Sequence, residues 1–429
     1  MNIIKNPFIS FLTIYSLLFV RDFFDINIPI VLITIVVFLL ALLSNEETLA
    51  SLVVILIPIQ EAVQLGTIYG FILLLLLIRN AKSFKLDILF ILLIFIIVME
   101  FLHIIVPPFS FDIFVKFAVT YLLLGFLLQR IDKMINKKTI ILSYVYSVFI
   151  STMLILLITL KSYDYNFFKI IESGFRIGST LAIDTAFDGY ALSNNQNNLA
   201  LQIVFVISLI MTQDYFKKNN RAIYALIGLL ILLVGFLTQS RTFFVTLIFL
   251  FILLILFNRK NIKKFIGIIF LSFMSVGIIF LINSQIFLNV LDRFNESNDL
   301  NYSRLSIFNF YNEIFISNIR TFLFGIGMQN MHLKVGYFAV PHNSIQEVYI
   351  AWGVIGLSVI GIFIFSYLKK FYRRTPIKLI PFLVLIFFSQ FGRLFKNSNI
   401  VMLLLICAIV LSLKESRGVI NEQKNNINL

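Results

Sequence analysis

The chemistry this chain can offer is concentrated in arginine. Arg176, Arg241, Arg293, Arg304 and Arg320 lie in or beside polar stretches that separate apolar runs. A guanidinium is a planar, permanently charged fork that fits phosphate and carboxylate oxygens. Arg241 is the most informative, because Gly235-Phe236-Leu237-Thr238-Gln239-Ser240-Arg241-Thr242 reads as a tight turn between two apolar segments. Among the three histidines, His342 lies in Val340-Pro341-His342-Asn343-Ser344-Ile345-Gln346-Glu347, just ahead of an apolar helix that Asn343 or Ser344 can cap. An imidazole held there can accept a proton near neutral pH. Without further context, a histidine in a capping loop is more often structural than catalytic. His103, ahead of Pro107-Pro108, reads as structural, and His332 has no patterned neighbours.

Other chemistries are poorly provided for. Three scattered histidines and one cysteine give no ligand spacing, so no metal and no cofactor is expected, and Cys407 has no disulfide partner. The carboxylates of the polar stretches, Asp164, Glu172, Asp184, Asp188, Asp292, Glu296, Asp299, Glu313 and Glu347, read mostly as solvated loop charges. No P-loop or Rossmann glycine pattern is present, which argues against a nucleotide-driven cytoplasmic enzyme.

The elements that must position these residues are membrane helices. Of 429 residues, 60% are hydrophobic and 13% charged, against roughly half and a quarter in a soluble domain. One core could not hide this much Leu, Ile and Phe from water. Apolar segments run 8–20, 28–43, 49–64, 67–78, 86–106, 111–128, 139–160, 197–212, 222–238, 242–257, 265–282, 346–367, 378–392 and 399–413, and a spanning helix needs about 20 mostly apolar residues. The Pro58, Gln60, Glu61 interruption marks a broken or re-entrant helix. The N-terminal run resembles a signal sequence but lacks a small-residue cleavage site, so it reads as the first span. The expected fold is an all-α polytopic bundle of about 12–14 transmembrane helices, one integral membrane domain over 1–429. Two longer polar stretches, 161–196 and 283–345, are its loops, with loop helices capping the outer face.

Charge orients the bundle. With the N-terminus inside, the alternate polar segments hold 23 of the 35 Lys and Arg, the excess expected of cytoplasmic loops. Both termini are then cytoplasmic and both long loops lie outside. Orientation accounts for the sequence pI near 9.7, and no nucleic-acid partner is needed. The five arginines run against this bias. At the membrane boundary Arg241 can meet the diphosphate of a lipid carrier, or it can snorkel to lipid phosphates; for any single arginine the two readings stand level.

The stretch 303–360 resembles the shared core of the bacterial O-antigen polymerase and O-antigen ligase family. The resemblance lies in Ser303-Arg304-Leu305-Ser306-Ile307-Phe308, Phe324-Gly325-Ile326-Gly327-Met328, Pro341-His342-Asn343-Ser344 and Glu347-Val348-Tyr349-Ile350-Ala351-Trp352-Gly353-Val354-Ile355-Gly356-Leu357. Upstream, Leu192-Ser193-Asn194-Asn195-Gln196-Asn197-Asn198-Leu199-Ala200 and the Gln239-Ser240-Arg241 turn also fit. The resemblance implies a glycosyltransferase of the cytoplasmic (inner) membrane that takes glycan from a polyprenyl-diphosphate carrier at the outer face, without metal or nucleotide sugar. Its partners would be the lipid-linked oligosaccharide, an acceptor glycan, membrane lipids, and a flippase and chain-length regulator. Arg241 and Arg304 would bind and neutralise the diphosphate and His342 would move the proton. Asn343 would help hold substrate, and Arg176 and Arg320 are weaker candidates without a clear family position. Polymerase and ligase share these motifs. A transporter of the lipid-linked unit is the competing class, and it would be expected to show paired halves.

Overall fold

The computed structural model describes residues 6–80, 85–105, 107–179, 195–213, 221–257, 304–336, 343–373, 375–392, 394–396 and 398–413, with a few isolated positions between them. His342, Arg293 and the apolar segment 265–282 lie outside the described residues, as do parts of each long loop, chiefly 180–191 and 289–303. Every other apolar segment is helical.

The chain order begins with α1 (Pro7–Phe24), α2 (Ile30–Leu43), α3 (Glu46–Leu56), α4 (Leu65–Asn80), α5 (Ile88–Leu102), α6 (Phe111–Arg130) and α7 (Lys137–Ser162). The short α8 (Phe167–Glu172) leads to α9 (Gln196–Thr212), α10 (Arg221–Leu237) and α11 (Arg241–Phe257). Three short helices follow in the second long loop: α12 (Arg304–Ser317), α13 (Ile319–Phe324) and α14 (Met331–Lys334). The chain closes with α15 (Ser344–Phe371), α16 (Ile380–Ser389) and α17 (Ser398–Ser412). No strand occurs among the described residues.

Burial separates two kinds of apolar helix. On α2 the stripe Val31, Ile35, Leu39 and Leu42 is about half exposed, as are Ile223, Leu226 and Leu229 on α10. Exposed apolar stripes at helical spacing fit a lipid solvent. In contrast, α3 is buried from Thr48 to Leu56, α9 from Leu199 to Leu209, and α17 from Ile400 to Ser412. A helix that is apolar on every side belongs inside a bundle. Five described spans are long and apolar enough to cross a membrane: Pro7–Phe24, Ile88–Ile105, Phe111–Lys133, Lys137–Ser162 and Ser344–Phe371. Seven shorter apolar helices of 10–17 residues accompany them. The protein is an all-α integral membrane protein.

Two breaks stand out among the described helices, and the first has a local cause. After α3 the chain tightens into a 3-10 segment, Ile57–Ala62, with Pro58 near its start and non-helical backbone at Ile59. Pro58 removes an amide donor from the ladder, and the freed Ile55 carbonyl accepts Ser147 Oγ at 2.6 Å. The expectation of a broken helix at Pro58 is borne out. The second break is at Gly353 within α15, where φ is 67° and ψ is −165°.

Candidate functional site

Two of the arginines singled out in the sequence, Arg176 and Arg241, come together at the turn between α10 and α11. The tight turn after α10 is real. Gly235 leaves room for the Phe243 ring, whose atoms lie 2.4 Å from where a Cβ would stand. Gln239 takes a left-handed φ of 49°. Ser240 then caps α11, its Oγ accepting the Phe243 amide at 3.3 Å. Arg241 is the first residue of α11, and it is exposed.

Arg176 belongs to the same turn. Its Nε donates to the Thr238 carbonyl at 3.3 Å. Its Nη1 donates to the Gln196 amide oxygen at 2.7 Å once that amide is oriented to accept. The main chain follows, with the Ile177 amide on the Leu237 carbonyl at 3.2 Å. The asparagine-rich segment closes the cluster: Asn195 caps α9 through the Asn197 and Asn198 amides, and Asn197 Oδ1 accepts Ser240 Oγ at 2.7 Å. Arg176, Gln196, Asn197, Ser240 and Arg241 thus gather around two packed helix N-termini, those of α9 and α11. Both ends carry the positive pole of a helix dipole, which favours anions. By sequence, Arg176 and Arg320 are the two weaker candidates. The partners of Arg176 lie 20 and 62 positions away, too far for a local pattern to reveal.

Asn343 is held beside the end of α16. Asn343 caps α15 by accepting the Ile345 and Gln346 amides at 2.9 and 3.1 Å, and its Nδ2 donates to Gln390 Oε1 at 3.2 Å. Ser344 Oγ donates to the Gly392 carbonyl and accepts the Leu394 amide. Gln390 follows α16, which packs against α9 and α11, so Asn343 is tied to the helix beside the arginine cluster. Arg304 opens α12, which is fastened to α15 by Gln346 Nε2 on the Phe308 carbonyl at 2.8 Å and by the Tyr349 hydroxyl on Asn312. Arg320 lies exposed on α13, and no described contact brings it to the arginine cluster.

Glu100 was missed in the sequence. It is fully buried near the end of α5 and accepts three N–H groups: Met328 at 2.8 Å, Gln329 at 3.1 Å and Trp352 Nε1 at 2.8 Å. An acid inside Ile97-Val98-Met99-Glu100-Phe101-Leu102 was the available signal. Nearby, Lys334 Nζ donates to the Ile326 carbonyl at 2.8 Å, and burial lowers its ammonium pKa while Glu100 opposes the shift. His103 is buried with Nδ1 on the Met99 carbonyl, as a structural histidine would be.

Residues 225–361, about a third of the chain, match the family model described as O-Antigen ligase. That stretch holds Arg241, Arg304, Arg320, Asn343 and the Gly325 to Gly327 turn, and it leaves Arg176 and the asparagine segment outside. No curated protein and no solved structure matches the chain.

Proposed function

Because the chain carries the O-antigen ligase family domain, we propose that it is a polysaccharide repeat-unit polymerase, building an O-antigen, capsular or exopolysaccharide chain. It transfers glycan from a polyprenyl-diphosphate carrier to an acceptor glycan, at the outer face of the cytoplasmic membrane. The observation that carries this reading is the meeting of Arg176 and Arg241 at one turn, above the N-termini of α9 and α11.

The chemistry follows from those groups. An acceptor hydroxyl oxygen attacks the anomeric carbon as the bond from that carbon to the phosphate oxygen breaks. The electron pair leaves with the diphosphate, whose growing charge the guanidinium groups and amide donors stabilise. The acceptor's proton passes to His342, a role supported by the family resemblance. Arg304, at the start of α12, supplies a further cation to the diphosphate. The carrier's isoprenoid chain lies among the apolar helices and holds its head at the boundary.

The ligase reading, in which finished glycan passes to lipid A core or another acceptor, uses the same groups, and the family match does not separate it from the polymerase. Nothing in that match supports the transporter reading. Purified protein in vesicles, given a polyprenyl-diphosphate oligosaccharide alone, separates the two. A ladder of lipid-linked products supports the polymerase. Transfer only when a second acceptor is added supports the ligase, and no consumption of donor refutes both.

A further inference from the structure

The Gly325 to Gln329 turn is bound to the break in α15 on one side and to Glu100 on the other. At Gly353 the helix ladder is interrupted, which frees the carbonyls of Ile350 and Ala351. They accept the amides of Ile326 and Gly327 at 2.9 and 2.8 Å. The two main chains meet with no room for a side chain. A Cβ on Gly325 would stand 2.3 Å from Ala351 backbone atoms, and one on Gly353 would stand 2.2 Å from those of Leu323. Glu100 then grips the next two amides of the turn and the indole N–H of Trp352, one residue before the break. One carboxylate therefore holds both halves of the junction.

We propose that Glu100 is a positioning residue for glycan transfer, fixing the point from which both arms of the second long loop are hung. The arm running back from the turn passes through α13 and α12 to Arg304. The arm running forward passes through α14 to Asn343, which caps the outer half of α15. The charge suits the task because three donors converge on it. A carboxylate can serve all three, whereas a neutral amide has one oxygen. The transfer step in this inference rests on the function proposed above; the clasp itself does not.

The test uses the full chain in membranes, with Met328→Cys as a reporter. Met328 is 2% exposed and contributes to the clasp through its backbone, and the native Cys407 is buried. A membrane-impermeant maleimide should spare the reporter in the wild-type background and label it when Glu100→Ala is added. In the assay without the reporter, Glu100→Ala should lower kcat at least about tenfold, a larger change than that in donor KM, because the alignment of both arms is lost while Arg176 and Arg241 keep their places. Glu100→Gln should fall between, and Trp352→Phe, which deletes one donor, should have the smallest effect. These two milder variants carry the test if Glu100→Ala does not insert. An unlabelled reporter with kcat unchanged would overturn the proposal. Labelling with kcat unchanged would also overturn it, leaving a purely structural clasp. Wild-type membranes whose reporter is protected but which transfer no glycan would instead refute the functional reading, and with it the catalytic half of this inference.

Discussion

Two charged clusters stand at the same end of the bundle and use charge in opposite ways. At the α10–α11 turn, Arg241 is exposed and Arg176 half-buried, among polar side chains that can also meet a ligand. At the α5–α15 junction, Glu100 is fully buried and both its oxygens are occupied by N–H groups of the protein. A buried charge is costly unless its partners are in place, so Glu100 is tied to one arrangement of the loop. Arg241, by contrast, is exposed at the first position of α11. The comparison teaches that in a membrane protein the position of a charge along the bundle says less about its role than what its hydrogen-bonding groups already hold.

The largest expected effect comes from breaking the junction sterically. Gly325→Ala and Gly353→Ala each place a Cβ within 2.3 Å of main-chain atoms at positive φ, and main chain cannot swing aside as a flexible side chain can. Both should abolish recovery of stable, monodisperse protein from detergent. Gly361→Ala, in the same helix with nothing within 4 Å of the new Cβ, should keep or slightly raise the thermal midpoint. Next comes the arginine cluster. Arg241→Ala should cost about 100-fold or more in kcat, the usual consequence of removing one group that stabilises developing charge, with membrane insertion unchanged. Arg176→Ala should cost less, about tenfold, because that side chain is half-buried and donates to Thr238 and Gln196 within the protein. Turnover of a lipid-linked donor by purified protein checks both. Should Arg176→Ala prove the more severe, the ligand lies on the α9 side of the turn.

The smallest effect is a pH dependence at Lys334. Burial lowers its pKa from the ordinary lysine value of 10.5, so the folded chain releases this proton at lower pH than the unfolded chain does. Between those two values unfolding takes up a proton, and stability rises with pH through that window. Below the window the cost of burying the ammonium is fully present. The wild-type thermal midpoint should therefore rise relative to Lys334→Met as pH approaches 10.5, and parallel curves would contradict this.

Much of the fold was legible because hydropathy reports helices directly. The break at Pro58 was legible because proline has a fixed local consequence. Hydropathy does not tell lipid from protein interior, so α2 and α3, both strongly apolar, gave no hint that one faces outward and the other is enclosed. Gly353 was visible within the Glu347 to Leu357 stretch, but its break depends on the chain at Leu323 to Gly325, which packs against it from 28 to 30 positions away. Arg241 was found because its turn is local. Arg176 was under-rated and Glu100 overlooked because their partners are brought together only by the tertiary fold. His342 remains an expectation from sequence, as it lies outside the described residues.

The central claim, transfer from a polyprenyl-diphosphate carrier at the arginine turn, is tested most directly in cells. A strain lacking this gene is complemented with wild-type or Arg241→Ala protein present at equal levels in the membrane, and its lipid-linked glycans are extracted. Single lipid-linked repeat units should accumulate in the deletion strain, disappear with wild-type protein and persist with Arg241→Ala. Normal polymer made by the Arg241→Ala protein would contradict the account.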